Sequence, residues 1–124
     1  MFEITVKKRF TASHSIKFPN GEWEKTHSHN WLVEVNLASD SLDSAGCVVD
    51  FYVVEGVLDK IIAEIENKNL NDTKAFEGKK TSAEVIAQFF FEKLTAQLEN
   101  TTARMLSKVT IWEDEFHGAS FVRS

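Results

Sequence analysis

The chain holds a single cysteine, Cys47, and a single proline, Pro19, in 124 residues. A lone cysteine excludes an intrachain disulfide and a cysteine-rich zinc ribbon. Missing disulfides suit a reducing compartment, so the expected location is cytoplasmic. Glycine is also scarce, at five residues, and no internal linker or low-complexity tract interrupts the chain. Long apolar runs are absent: none approaches the roughly 18 residues that a membrane-spanning helix needs, so no membrane partner is expected. The opening Met1-Phe2-Glu3-Ile4 lacks the basic head and apolar run of a secretory signal. Excess positive charge is missing too. The net charge is -5 with a pI near 5.3, and no Lys or Arg cluster offers a phosphate-binding face, which argues against a nucleic-acid partner. What remains is 43% hydrophobic and 27% charged, the make-up of an ordinary globular protein. Residues 1–124 are read as a single domain, long enough to bury about two-thirds of its unfolded surface.

The chemistry gathers around Thr26-His27-Ser28-His29-Asn30, at the head of the alternating run His29-Asn30-Trp31-Leu32-Val33-Glu34-Val35-Asn36-Leu37. Side chains two apart on a strand share a face, so His27 and His29 point the same way, followed by Trp31, Val33, Val35 and Leu37. Upstream, Phe2, Ile4, Val6, Phe10, Ala12 and His14 share one parity, and His14 closes that row. Two adjacent antiparallel strands then bring three imidazoles together. Three protein ligands with an open fourth position is the arrangement of a catalytic rather than a structural zinc site. The alternative is a set of polar residues at the rim of a sheet.

Residues 2–14 therefore read as one strand and residues 27–39 as the next, separated by a loop holding Pro19, Asn20 and Gly21. A small polar loop, Ser39 to Gly46, leads to Asp50, a plausible N-cap. Behind it Val54, Val57, Leu58, Ile61, Ile62 and Ile65 recur at helical spacing. A polar loop from Glu66 to Lys80 follows. Thr81-Ser82-Ala83-Glu84 has capping-box form with Thr81 as the N-cap, before a stripe of Val85, Ile86, Phe89, Phe90, Leu94 and Leu98. Asn100 to Arg104 is expected to break the helix. Leu106 to Glu113 returns to strand character, and a turn from Asp114 to Gly118 precedes a last strand at Ala119 to Val122. The order β-β-α-α-β-β predicts an α+β fold, a four-stranded antiparallel sheet with two helices on one face.

Phe10-Thr11-Ala12-Ser13-His14 followed by His27-Ser28-His29 resembles the zinc signature of the 6-pyruvoyltetrahydropterin synthase and 6-carboxytetrahydropterin synthase family, with Ser28 where Gly is usual. The likeness spans nearly the whole chain. Gly46-Cys47-Val48-Val49-Asp50-Phe51 resembles the family's Gly-Met-Val-x-Asp-Phe. Leu70-Asn71 resembles its inter-helix Leu-Asn, Thr81-Ser82-Ala83-Glu84 its Pro-Thr-x-Glu, and Glu113 the glutamate that grips the pterin. The resemblance implies the tunnelling fold, zinc on His14, His27 and His29, and a homo-oligomer, trimer or hexamer, with active sites between subunits. It further implies a pterin lyase acting on a dihydroneopterin triphosphate-like substrate. Glu113, with Thr81 and Ser82, is the expected ring-binding set, since a carboxylate can accept two parallel N–H bonds from an amino-pyrimidinone edge; its other reading is a strand-end carboxylate facing water.

Where the family places its catalytic cysteine this chain has Trp23, and where it places Asp-His it has Glu66 and Asn67. An indole carries no ionisable proton near neutral pH and an amide is no general base, so this reads as a divergent member. Cys47, at the family's Met, is expected to be a buried thiol. The remaining acid–base candidates are Glu24, in a loop where Glu22 and Glu24 flank Trp23, then Glu66, and His117 reaching in from a neighbouring subunit. Each also reads as a solvated surface residue. The rival function is a non-catalytic, zinc-bearing pterin or purine binding protein that keeps the pocket.

Overall fold

The computed structural model describes residues 1–124. Strands β1 (Phe2–His14), β2 (His27–Ser39), β3 (Leu106–Trp112) and β4 (Gly118–Val122) form one antiparallel sheet in the order β1-β2-β3-β4. Between β2 and β3 lie α1 (Phe51–Ala63), α2 (Ala83–Gln97) and the short α3 (Asn100–Met105). The alternating sequence sets the register: Val6 lies opposite Val35, Phe10 opposite Trp31, Ala12 opposite His29 and His14 opposite His27. One sheet face therefore carries the apolar row. Val6, Phe10, Trp31, Val33, Val35, Val109 and Ile111 are buried there with Val54, Leu58 and Ile61 of α1 and Ile86, Phe90 and Leu94 of α2. Phe10 links the layers, with its ring centroid 6.2 Å from that of Trp31 and 5.5 Å from that of Phe90. Each such side chain, moved fully out of water, contributes about 1.5–3 kcal/mol.

The other face is held by polar cross-strand pairs. Asn36 Nδ2 donates to Thr5 Oγ1 over 2.8 Å, and the Thr110 and Ser120 hydroxyls lie 2.6 Å apart. Helix α1 starts where expected, with the Asp50 carboxylate accepting the Tyr52 N–H at 2.9 Å. Helix α2 starts one residue later than the capping-box reading: Ser82 is the N-cap, accepting the Val85 N–H at 3.3 Å. Thr81 is drawn inward instead, its hydroxyl donating to the Ser15 carbonyl at 3.2 Å.

Two further expectations are corrected. The break expected at Asn100 to Arg104 falls earlier, at extended Leu98 and Glu99, and Asn100 to Arg104 forms most of α3. At the end of α3 the Ala103 carbonyl accepts the Leu106 N–H, and a distant side chain adds further donors there. Arg123 Nη2 donates to the Ala103 carbonyl at 2.8 Å, and Nε to the Leu106 carbonyl at 2.7 Å. Cys47 is exposed, not buried. Val48, 6% exposed, takes the core position beside it. Cys47 lines a groove with Phe2 and Ile4, at the end of β1 opposite to His14.

The segment after α1 is more ordered than a plain loop. Two 3-10 turns, Leu70–Asp72 and Lys74–Phe76, are pinned by buried Leu70 and Phe76. Just ahead of them Asn67 N–H donates to the Thr11 carbonyl at 2.7 Å and Lys68 accepts the Ser13 N–H at 3.0 Å. This segment thereby seals the outer edge of β1 next to His14.

Candidate metal centre and substrate site

His14 ends β1 and His27 opens β2, so the antiparallel register sets them side by side, with His29 one pleat further along the same face. One ring nitrogen from each lies within 4.8 Å of the other two. Ring centroids stand 4.7 Å apart for His14 and His27, 4.7 Å for His27 and His29, and 5.2 Å for His14 and His29. Trp31 forms the floor, edge-on to His14 at 4.9 Å and to His29 at 4.8 Å. Its indole N–H donates to the Ala12 carbonyl at 3.0 Å, which fixes that floor to β1.

Hydrogen bonds decide which nitrogens are available. His14 Nδ1 lies 2.7 Å from the Thr81 carbonyl oxygen and His27 Nδ1 lies 2.8 Å from that of Lys25. A carbonyl only accepts, so each Nδ1 carries the proton and each Nε2 of the neutral ring keeps its lone pair. Those two Nε2 atoms face each other at 3.1 Å. His29 Nε2 is buried without any partner. Converging lone pairs and an orphaned buried acceptor are what a divalent cation satisfies, and backbone carbonyls behind ligand imidazoles are the usual way such rings are aimed. The residues present fit a metal ion of the kind that prefers imidazole nitrogen.

The electrostatics agree. Burial lowers the pKa of His29 below its ordinary 6.5, and the neighbouring His14 and His27 push the same way against the opposing pull of Glu113 and Asp114. The neutral ring, the form that ligates, is thereby favoured near neutral pH.

Among the acid–base candidates the structure brings one to the histidines. Residues 16–24 fold back on themselves: Glu24 N–H donates to the Ile16 carbonyl at 2.9 Å and Phe18 N–H to that of Glu22 at 2.7 Å, around Gly21 at φ +90°. In this small hairpin Trp23 pairs with Lys17. Alternation turns Trp23 outward, 60% exposed, and turns Glu24 inward. Glu24 Oε1 accepts the Ile16 N–H at 3.0 Å and lies 3.9 Å from His27 Nε2. The carboxylate thus reaches the site by a one-residue shift from the position of Trp23.

The other two candidates are placed elsewhere. Glu66 is exposed in the turn after α1, and its carboxylate has no hydrogen bond or ion pair with the histidines. His117 is exposed in the β3–β4 turn with Nδ1 2.9 Å from Asp114 Oδ1, and it does not join the triad within one chain. Backbone and imidazole hydrogen bonds from Phe116 and His117 hold the Asp114 carboxyl below its ordinary pKa.

Glu113 stands one residue past β3, half-buried, with its N–H donated to the His117 carbonyl at 2.9 Å. It borders a cleft with Asn30 and Trp112, and its charge is felt at His29. Thr81 is 1% exposed and Ser82 uses its hydroxyl as the α2 cap. Both hydroxyls are engaged inside the protein, so the direct ring contact expected of Thr81 gives way to a place behind His14. Ser15 and Asn71, which hydrogen-bond each other and Thr81 behind His14, are not singled out by the sequence reading. Asn71 carried a faint signal as half of a Leu-Asn pair in the resemblance; Ser15 carried none.

A sheet of this topology with three strand-borne imidazoles converging above a buried indole defines a tunnelling-fold chain with a histidine triad that could hold a metal ion. A family model for 6-pyruvoyl tetrahydropterin synthase matches residues 3–124, and the chain belongs to that family. Dihydroneopterin monophosphate aldolase of Pyrococcus furiosus is 29% identical over 115 residues, covering 93% of this chain and 92% of that protein. The 6-carboxy-5,6,7,8-tetrahydropterin synthase of Synechocystis is 31% identical over 99 residues, covering 76% and 75%. In fold, the chain superposes on the Caenorhabditis elegans 6-pyruvoyl tetrahydropterin synthase with a TM-score of 0.81 at 22% identity, across 100% of this chain and 98% of that one.

Proposed function

We propose that this chain is a zinc-dependent lyase that processes the side chain of a phosphorylated dihydroneopterin. The observation that carries the reading is the Glu24 carboxylate, oriented by the Ile16 N–H and 3.9 Å from His27 Nε2, beside three imidazoles whose free nitrogens converge. His14, His27 and His29 would hold the zinc, which supplies Lewis-acid polarisation of a side-chain oxygen. Glu24 acts as the general base, taking the proton of a side-chain hydroxyl or of the carbon next to it. Glu113 accepts the paired N–H groups of the pterin's amino-pyrimidinone edge and so fixes which side-chain atom faces Glu24. Thr81 holds the tautomer of His14 through its carbonyl.

No thiol takes part in this scheme, because Cys47 sits by Phe2 and Ile4 at the far end of β1. A carboxylate base without a thiol suits aldol-type cleavage. Glu24 takes the hydroxyl proton, the adjacent carbon–carbon bond opens as the aldehyde C=O forms, its electron pair makes an enamine with the ring C=N, and the proton held on Glu24 returns to the side-chain carbon to give the shortened pterin. The relative from Pyrococcus furiosus, named as an aldolase of dihydroneopterin monophosphate, supports that class of reaction.

Zinc-loaded protein incubated with dihydroneopterin triphosphate, and separately with the monophosphate, is expected to release a shortened pterin detectable by its fluorescence after chromatography. Glu24→Gln should lower turnover by about 100-fold or more while leaving metal content unchanged. Absence of any new pterin from either substrate at high enzyme would overturn the proposal. The rival, a binding protein without turnover, is separated in the same experiment: it predicts pterin binding that is lost in Glu113→Ala, and no product from the unaltered chain.

A further inference from the structure

We infer that Asn71 is a positioning residue that sets where Glu24 stands relative to His14. Its side chain is the hub of a network that reaches both. The Asn71 carboxamide clamps the backbone of Ser15 from 56 residues away: Oδ1 accepts the Ser15 N–H at 2.9 Å and Nδ2 donates to the Ser15 carbonyl at 2.9 Å. The Thr81 hydroxyl shares its one proton between this Oδ1 and the Ser15 carbonyl, each at 3.2 Å.

From Ser15 the network runs to the base. The Ser15 hydroxyl donates to the Glu24 carbonyl at 2.5 Å, and the next residue, Ile16, gives its N–H to the Glu24 carboxylate at 3.0 Å. From Thr81 it runs to the first imidazole, whose Nδ1–H the Thr81 carbonyl accepts at 2.7 Å. The two arms also meet each other, at the Thr81 hydroxyl and the Ser15 carbonyl, and Asn71 ties both to one amide.

The hub is itself immobilised. Leu70, beside it in the 3-10 turn, is fully buried, and the Asn71 N–H donates to Asn69 Oδ1 at 3.1 Å. A carboxamide is the side chain that both donates and accepts in one plane, and Ser15 presents both groups of its backbone. Asp keeps the acceptor half and loses the donor; Ala loses both. Loss of a group that directly supports a ligating imidazole typically changes metal affinity about 10–100-fold; here that group is the Thr81 carbonyl, and Asn71 bears on it through the Thr81 hydroxyl.

This inference rests on the metal reading above, so the test separates the two. Co2+ is titrated into metal-free protein, following the visible absorption of the bound ion, with thermal melting in parallel. Four proteins are compared: the unaltered chain, Asn71→Ala, Asn71→Asp and Asn36→Ala. Asn36 is a buried asparagine whose side chain bonds Thr5 toward the far end of β2; it measures what loss of an ordinary buried hydrogen bond does. The expected result is Co2+ affinity about tenfold or more weaker with an altered absorption spectrum in Asn71→Ala, partial recovery in Asn71→Asp, and unchanged affinity and spectrum in Asn36→Ala despite a lowered melting temperature. If Asn71→Ala does not fold, Asn71→Asp alone must show the altered spectrum. Unaltered affinity and spectrum in the Asn71 variants, with melting lowered as in Asn36→Ala, would leave Asn71 as packing and overturn the inference alone. No Co2+ binding by the unaltered chain would overturn the metal reading and this inference with it.

Discussion

At the scale of single residues, the site works by assigning protons before any ligand arrives. His14 and His27 each commit Nδ1–H to a backbone carbonyl, and His29 is biased toward the neutral form, first by burial and then by its two imidazole neighbours. That bias has a sign that can be measured. In the unfolded chain the His29 ring titrates near 6.5 and in the folded chain lower, so within that window the unfolded state holds more protons and stability rises with pH. The contribution is intact above about 6.5 and is lost as pH falls through the folded value. Urea midpoints of the metal-free protein should therefore fall between pH 7 and pH 5, and fall less steeply in His29→Asn. Equal slopes in the two proteins would count against a depressed His29. The convergence of the three imidazoles was legible, because the shared face of His14, His27 and His29 follows from strand alternation alone. The placing of Glu24, and not of Glu66 or His117, beside them was not, since it depends on a hairpin that turns Trp23 out and its neighbour in.

At the scale of elements, local pattern succeeded where one face of a segment meets one surface. The two long strands, α1 with its Asp50 cap, and the stripe of α2 all follow from period-2 or period-3.6 burial. It failed where a partner far along the chain decides the outcome. The end of α3 is reinforced by Arg123, whose guanidinium donates to the Ala103 and Leu106 carbonyls from 20 and 17 residues away. Arg123→Ala should thus destabilise the protein by about 1–3 kcal/mol, as loss of charge-assisted hydrogen bonds does, and should raise amide exchange in residues 100–105 ahead of α2. An unchanged denaturation midpoint would show that α3 needs no such cap. The start of α2 is a similar case: Thr81 has the right chemistry for an N-cap, but Ser15 and Asn71 claim its hydroxyl and the cap passes to Ser82. A tight contact also fixes the last turn. A Cβ at Gly118 would lie 2.6 Å from Trp112 Cε3, so Gly118→Ala should displace that indole and lower the melting temperature, readable by tryptophan fluorescence.

At the scale of the whole molecule, the triad ties the first two strands together across their loop, and an ion bound there stabilises the folded chain by mass action. Metal-loaded protein should melt higher than the stripped form, by an amount equivalent to about 4 kcal/mol at a free-ion concentration 1,000 times the dissociation constant. The gain should vanish in His27→Ala. The sheet also ends in two edge strands, β1 and β4, each paired with a strand on one side only. Open edges of this kind invite strand addition, and the expected assembly is a homo-oligomer, trimer or hexamer, which light scattering would test against a monomer of 14.1 kDa. The edge of β1 is not uniform, however. Around Thr11 and Ser13 its outward amide and carbonyl are already taken by Asn67 and Lys68, while by the same alternation Glu3, Thr5, Lys7 and Arg9 keep theirs free. On β1 a guest strand can dock only along that lower half. Copies joined this way must sit stepped past one another instead of level, so the pitch of any ring they close is written in where the covering segment stops.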